Sequence, residues 1–156
     1  MSIVSDVKRN DVGQTITGPW LHALPTVDAT VNGPSTYAFV AGATLAAGDC
    51  VVLNSSSKWV LTDANTASIY LGLKGIVVIG GASDASVLVA LPHSIVYLTA
   101  FATLTVGTSY FLSETAGALT ATMPTTGSSG QVRVGVAVHA DMMYVTMDSA
   151  TVVSGA

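Results

Sequence analysis

The sequence predicts an all-β protein: a small β-barrel or jelly-roll-like sandwich built from two similar halves, with an extended N-terminal arm. Three observations lead to this prediction. Short runs of Val, Ile, Thr, Tyr and Leu alternate with Gly, Ser, Asp and Asn, which is the pattern of strands joined by turns. One sequence pattern recurs along the chain. Gly and Pro interrupt the first 36 residues too often for a long helix.

Ten short strands are predicted from residue 37 onward. Their length and spacing are typical of a sandwich or barrel. The Ala-rich stretch Ala41–Ala47 is not predicted to be a helix, because Gly42 and Gly48 lie too close to it. The predicted strands are Tyr37–Val40, Cys50–Asn54, Lys58–Thr62, Leu73–Ile79, Ser86–Leu91, Ile95–Ala100, Ser109–Ser113, Ala118–Thr122, Val132–Val138 and Met143–Met147.

An internal repeat supports the two similar halves. Ala43–Gly48 resembles Ala102–Gly107, and Gly75–Val78 resembles Gly135–Val138. The offset between the matching segments is about 59 residues throughout. Two units of about four strands each are therefore predicted to form a pseudo-symmetric barrel or sandwich.

Residues 1–36 are predicted to form the arm, with one strand around Gln14–Thr17. Residues 37–148 form the β domain, and residues 149–156 form a C-terminal tail. Trp20, Leu21 and Leu24 lie in the arm beside two prolines. Apolar anchors of this kind pack on something, either on their own domain or on a neighbour. We single them out as a candidate interface with a neighbouring subunit.

The composition indicates assembly with other protein subunits. Charged residues make up 9% of the chain and hydrophobic residues 50%, whereas roughly 25% of residues are charged in typical soluble domains. A monomer with such a surface would expose apolar patches, unless Ser, Thr, Ala and Gly cover it. Five scattered basic residues do not form a nucleic-acid surface, and no apolar stretch is long enough for a membrane-spanning helix.

The sequence contains no recognisable active site, so we predict a protein that is not an enzyme and has no cofactor or metal. The three histidines, His22, His93 and His139, are far apart and lack a second ligand at metal-binding spacing. Glu114 is the only glutamate, and most aspartates lie at predicted turns. Cys50 lies in an apolar run and is predicted to be a buried thiol.

The C-terminal half, VGTSYFLSETAGALTATMPTTGSSGQVRVGVAVHADMMYVTMD over residues 106–148, resembles a recurrent module of tailed-phage virion proteins. Residues 48–53 and 75–78 resemble the small β-barrel decoration (cement) proteins of bacteriophage heads. The module positions are Gly107, Tyr110, Leu112, Ser113, Gly117, Leu119, Thr120, Pro124, Val132, Val134, Gly135, Val138, Tyr144 and Asp148.

This resemblance covers residues 40–148 and implies a structural protein on the outer capsid surface. Proteins of that family bind across neighbouring major capsid protein subunits and are often trimeric, so a homotrimer is expected here. The same module also occurs in phage fibres and spikes, so a tail-fibre, spike or head-fibre domain is the alternative. A carbohydrate-binding module is a weaker third possibility, because Trp20 and Trp59 are well separated in sequence.

Overall fold

Short strands account for nearly all regular structure in residues 28–65, 72–101, 104–125, 130–148 and 151–152, which this computed structural model describes. Within these ranges there is no α-helix, and the 3-10 turn Thr99–Phe101 is the one helical element. The predicted all-β fold is confirmed, with the architecture of a sandwich. In the same ranges no helix has the length and apolar character needed to cross a membrane.

Sheet I contains six strands, five of which come from the first half of the repeat. Its neighbours are antiparallel, except that β3 runs parallel to β5. In spatial order the strands are β2 (Ser35–Thr36), β7 (Leu88–Ala90), β6 (Lys74–Ile79), β4 (Cys50–Leu53), β5 (Lys58–Leu61) and β3 (Val40–Ala41).

Sheet II also contains six strands, and all of its neighbours are antiparallel. A separate two-stranded sheet joins β11 (Gly130–Gln131) to β14 (Thr151–Val152). In spatial order the strands of sheet II are β1 (Thr30–Asn32), β8 (Ile95–Tyr97), β13 (Met142–Val145), β12 (Arg133–His139), β9 (Ser109–Leu112) and β10 (Leu119–Thr120).

The two halves have the same topology. The order β2-β7-β6-β4-β5 in sheet I is repeated as β8-β13-β12-β9-β10 in sheet II. The registers also agree: Cys50, Ile76 and Ala90 lie side by side in sheet I, as Ser109, Val136 and Tyr144 do in sheet II. Each half therefore contributes five equivalent strands, one more than the sequence predicted.

The turn that enters the first long strand of each half is also repeated. Gly48 and Gly107 both have positive φ, at 92° and 81°, a conformation that glycine adopts at little cost. Their amides donate to the carbonyl oxygens of Val77 and Ala137, each at 2.8 Å. The matching Gly residues in the sequence thus mark matching turns in the fold.

The core lies between the two sheets. Sheet I presents Cys50, Ile76, Val78 and Ala90 to this core, and all four are fully buried. The partners from sheet II include Val96, Leu112, Ala137, Met143 and Val145. A second apolar cluster covers the other face of sheet I and contains Ala41, Leu45, Val51, Trp59, Val77, Val87 and Val89. Sheet I is consequently buried on both faces.

The structure differs from the sequence prediction mainly at segment ends. Strands β1 and β2 lie within residues 1–36, so the C-terminal part of the predicted arm belongs to the sheets. The predicted strand Tyr37–Val40 is instead β3, and Ile95–Ala100 ends at Tyr97 before the 3-10 turn. Residues 1–27 of the arm, including the strand predicted around Gln14–Thr17, lie outside the described residues.

Candidate interaction surface

The two sheets pack on each other through faces that are not equivalent in the repeat. Val77 and Ala137 occupy matching positions. The Val77 amide donates to the carbonyl oxygen of Asp49, and the Ala137 amide donates to that of Thr108; each acceptor directly follows a repeated glycine. Ala137 faces the core between the sheets, whereas Val77 faces the second cluster on the far side of sheet I. The halves therefore stack in the same orientation, and the outer face of sheet II corresponds to a buried face of sheet I.

We call this outer face of sheet II the open face. Its apolar side chains are Ile95, Tyr97, Phe111, Val136, Val138, Met142 and Tyr144, and none of them is fully buried. Val138 is 44% exposed, whereas the equivalent Val78 is fully buried. Tyr144 is 37% exposed, whereas the equivalent Ala90 is fully buried. A contiguous apolar surface on a sheet is a common feature of protein interaction sites.

Polar side chains near the open face lie close to one another in pairs. Arg133 Nε donates to Asp148 Oδ2 at 2.7 Å, and His139 Nδ1 lies 3.9 Å from Asp141 Oδ2. Polar pairs of this kind at the rim leave the centre of the face apolar, as in many protein interfaces.

A tyrosine hydroxyl links the centre of the open face to its edge. His93 Nδ1 lies 3.3 Å from the Tyr144 hydroxyl, in hydrogen-bonding range. Tyrosine is suited to such a position because one end of its side chain is apolar and the other remains hydrated.

A cleft of about 320 Å³ lies at the junction of the two halves, but its chemistry is sparse. Asp49 Oδ2 accepts from the Ala46 amide at 2.7 Å, and the Tyr110 hydroxyl accepts from the Thr105 amide at 3.0 Å. Both groups accept hydrogen bonds from the turns that line the cleft.

Burial shifts the pKa values of two ionisable groups, Cys50 and Lys74. Burial raises the pKa of the Cys50 thiol to about 12, so the thiol stays neutral. Burial also lowers the pKa of Lys74, whose Nζ donates to the Gly72 carbonyl at 3.0 Å. In the part of the chain that the structure describes, no group of three or more His, Cys, Asp or Glu residues could hold a metal ion.

The predicted interface residues Trp20, Leu21 and Leu24 lie outside the described residues, as does His22. The structure places His93 and His139 near the rim of the open face, in separate contacts. The sequence analysis did not identify the open face. One feature of the sequence could have indicated it. Ile76 and Val78 of sheet I align with Val136 and Val138 of sheet II, so both sheets carry a similar apolar face, but only the face of sheet I is covered by the other sheet.

Comparison of the chain with protein-family models, with curated proteins and with solved structures finds no match.

Proposed function

We propose that this protein is a structural component of a bacteriophage virion, which decorates the outer capsid surface by binding across neighbouring major capsid protein subunits. The observation that carries the proposal is the open face, an apolar sheet surface on a chain with 9% charged residues. A protein that stabilises a shell requires contact area and shape rather than reactive groups.

The sequence resemblance agrees with this proposal. The residues that resemble decoration proteins form the turns and strands of both halves, and the repeat fits a small pseudo-symmetric β protein. Interfaces of stable assemblies are often large and apolar, which suits a surface with few charges. A homotrimer, expected from the resemblance, would bury further apolar surface by closed symmetry.

The proposal is tested by sedimenting the protein with shells assembled from the major capsid protein of the phage that encodes it. Val138→Lys places a charge on the open face, and Val106→Lys is the matched control at another exposed valine, which is 62% exposed. Burial of an unpaired ammonium group is costly. We expect Val138→Lys to weaken binding at least about tenfold, equivalent to about 1.4 kcal/mol, and Val106→Lys to bind like the unmodified protein.

Circular dichroism first establishes that both variants fold. Equal binding by the two folded variants would refute a role of the open face in shell attachment. Light scattering after gel filtration tests the oligomeric state separately. A mass near three times 15.8 kDa supports a preformed trimer, whereas a stable monomer contradicts it.

A further inference from the structure

The ladder between β4 and β5 in sheet I ends in a main-chain contact with the second half of the repeat. At this end the Thr62 amide donates to the Cys50 carbonyl oxygen at 3.1 Å. The Cys50 amide donates to the Gly117 carbonyl oxygen at 2.9 Å, and the Gly117 amide donates to the Thr62 carbonyl oxygen at 2.8 Å. Gly117 lies in the turn between β9 and β10. The backbone of one glycine therefore closes the ladder.

The matching position in sheet II lacks this contact. Ser109 occupies the position of Cys50 in the second half. The Thr108 carbonyl oxygen accepts from the Ala137 amide in β12 at 3.0 Å, and the C=O and N–H of one trans peptide unit point in opposite directions. The Ser109 amide therefore points away from β12, toward the side of β10. Among the described residues it has no hydrogen-bond acceptor.

The chain does not fill this position with its own described backbone. β10 ends at Thr120, and continuation of its register would place Thr122 opposite Ser109. The Thr122 amide instead donates to the Thr120 hydroxyl at 3.1 Å. The amide and carbonyl groups of Ser109, which we call the open ladder end, thus have no main-chain partner on that side in the part of the chain that the structure describes. Unpaired main-chain groups at a sheet edge are a template for pairing with another chain.

We propose that the partner that binds the open face also inserts a short main-chain segment at the open ladder end. A carbonyl oxygen of this segment accepts from the Ser109 amide, as that of Gly117 does from Cys50, and an amide of the segment donates to the Ser109 carbonyl oxygen. Ser109 shares the open face with Val136, which lies beside it on β12. One partner can therefore cover the apolar side chains and complete the ladder. The inference rests on the function proposed above and states how the partner subunit is held.

The open ladder end is less restrictive than the position that Gly117 occupies. Gly117 has a φ of 77°, and a Cβ added to it would lie 2.9 Å from Leu61 Cδ2 and 3.3 Å from Asp49 Oδ1. Both features favour glycine. The matching residues of the second half are Ala121, which is smaller than leucine, and Thr108, which carries no charge. The inserted segment can therefore contain residues other than glycine, while the side-chain contacts on the open face supply specificity.

A different protein suits this position better than a second copy of the chain. Gly117 reaches Cys50 because the two halves stack closely, with the small Ala90 fully buried between them. In sheet II the residue at the position of Ala90 is Tyr144, which is 37% exposed. The same close stacking cannot recur over a tyrosine, since facing sheets pack about 10 Å apart. The capsid subunit is therefore the expected partner at the open ladder end.

The inference is tested by amide hydrogen exchange in the unmodified protein, measured free in solution and on shells assembled from the major capsid protein of the phage that encodes it. In the free protein, we expect the Ser109 amide to exchange at least about a hundredfold faster than the Cys50 amide, which is hydrogen-bonded and buried. On the shells, exchange at Ser109 should slow at least about tenfold. Exchange at Cys50 should change little, because its amide already has a partner.

Ser109→Pro provides a second test, because proline has no amide donor. The matched control, Ser109→Ala, also lacks the hydroxyl group but keeps the amide. Proline is tolerated at a sheet edge where the N–H is unpaired, and circular dichroism establishes that both variants fold. We expect Ser109→Pro to weaken shell binding about fivefold, the effect of losing one hydrogen bond, and Ser109→Ala to bind like the unmodified protein.

Shell binding with unchanged exchange at Ser109 would overturn the inference and leave the capsid proposal standing. Equal shell binding by the two folded variants would do the same. If a higher concentration of the free protein slowed exchange at Ser109, the partner would be a second copy, which also contradicts the inference. Absence of any shell binding would overturn both proposals. Should Ser109→Pro fail to fold, the exchange measurement on the unmodified protein decides.

Discussion

Gly75 and Gly135 test the repeat most directly, because both lie where their strand closely approaches its neighbour. A Cβ added at Gly135 would overlap the Tyr144 carbonyl oxygen and lie 2.7 Å from Met143 Cγ. A Cβ added at Gly75 would overlap Val89 Cγ1 and lie 2.6 Å from the Ala90 carbonyl oxygen. In both cases the obstacle includes backbone, which can move only if the ladder between the two strands distorts.

We therefore expect Gly135→Ala to be strongly destabilising. Overpacking of a closely packed site costs about 1–3 kcal/mol, and weakening of one ladder hydrogen bond adds about 1 kcal/mol. The sum is a loss of about 2–4 kcal/mol in the free energy of unfolding. For a chain of this size, a loss of about 3 kcal/mol lowers Tm by about 6–12 °C. Gly75→Ala should lose a similar amount because its surroundings are equivalent.

Gly107→Ala is the matched control. Apart from Gly107 and its two chain neighbours, nothing lies within 4 Å of its Cβ position, so the substitution meets only the strain of a positive φ of 81°. That strain costs about 1–2 kcal/mol, and the smaller conformational freedom of Ala in the unfolded chain offsets part of it. The free energies are measured by urea denaturation followed by circular dichroism. A loss for Gly135→Ala no larger than that for Gly107→Ala would refute the reasoning.

Three further predictions concern single side chains. Cys50 should resist a thiol reagent at pH 8 until urea unfolds the protein. Because burial raises the pKa of the folded thiol from 9.0 to about 12, this group should leave the free energy of unfolding unchanged below about pH 9. The free energy of unfolding should then fall as the pH rises from about 9 toward 12, as measured by denaturation at a series of alkaline pH values. Trp59 packs edge-on against Phe39 at 6.1 Å, and its Nε1 has no acceptor among the described residues; Trp59→Ala should cost about 3–5 kcal/mol, whereas Trp59→Phe should cost less than about 2 kcal/mol because it also removes an unsatisfied donor. Arg133→Ala should lower the free energy of unfolding by less than about 1 kcal/mol in urea titrations, since its ion pair with Asp148 is roughly half exposed.

Much of the fold could be predicted because each main strand carries its own signal. Runs such as Lys74–Ile79 and Arg133–His139 contain β-branched residues between clear turn residues, and they are the longest strands. The turn at Asn54 was also predictable, because an Asn side chain can accept from nearby amides; here its Oδ1 accepts from Ser56 and Lys58.

The strands that sequence analysis missed are those held in place by pairing alone. β1 and β2 contain three and two residues and surround Gly33 and Pro34, which by themselves indicate a turn or an arm. β11 and β14 contain two residues each. Such short segments have no periodicity to detect, and their conformation depends on the neighbouring strand.

The open face could not be predicted for a different reason. Ile76 and Val136 are equivalent in sequence, and an alternating apolar pattern identifies a half-buried strand without indicating which half is covered. The outcome depends on the orientation in which the two halves stack. With like faces together, Val136 would have been buried against Ile76; with both halves in the same orientation, one of the two faces remains open.

The residues that differ between the two equivalent faces make the open face unsuited to packing against a further sheet. In sheet I the central positions are Cys50 and Ala90, small side chains that allow the second sheet to approach closely. In sheet II the same positions are Ser109 and Tyr144. A tyrosine in place of the alanine would hold a second sheet away, since facing sheets pack about 10 Å apart. The bulk and hydroxyl group of Tyr144 instead suit a narrower ligand and a partly hydrated contact. A third repeat could not stack here as the second stacks on the first, because Tyr144 would keep its sheet too far from sheet II.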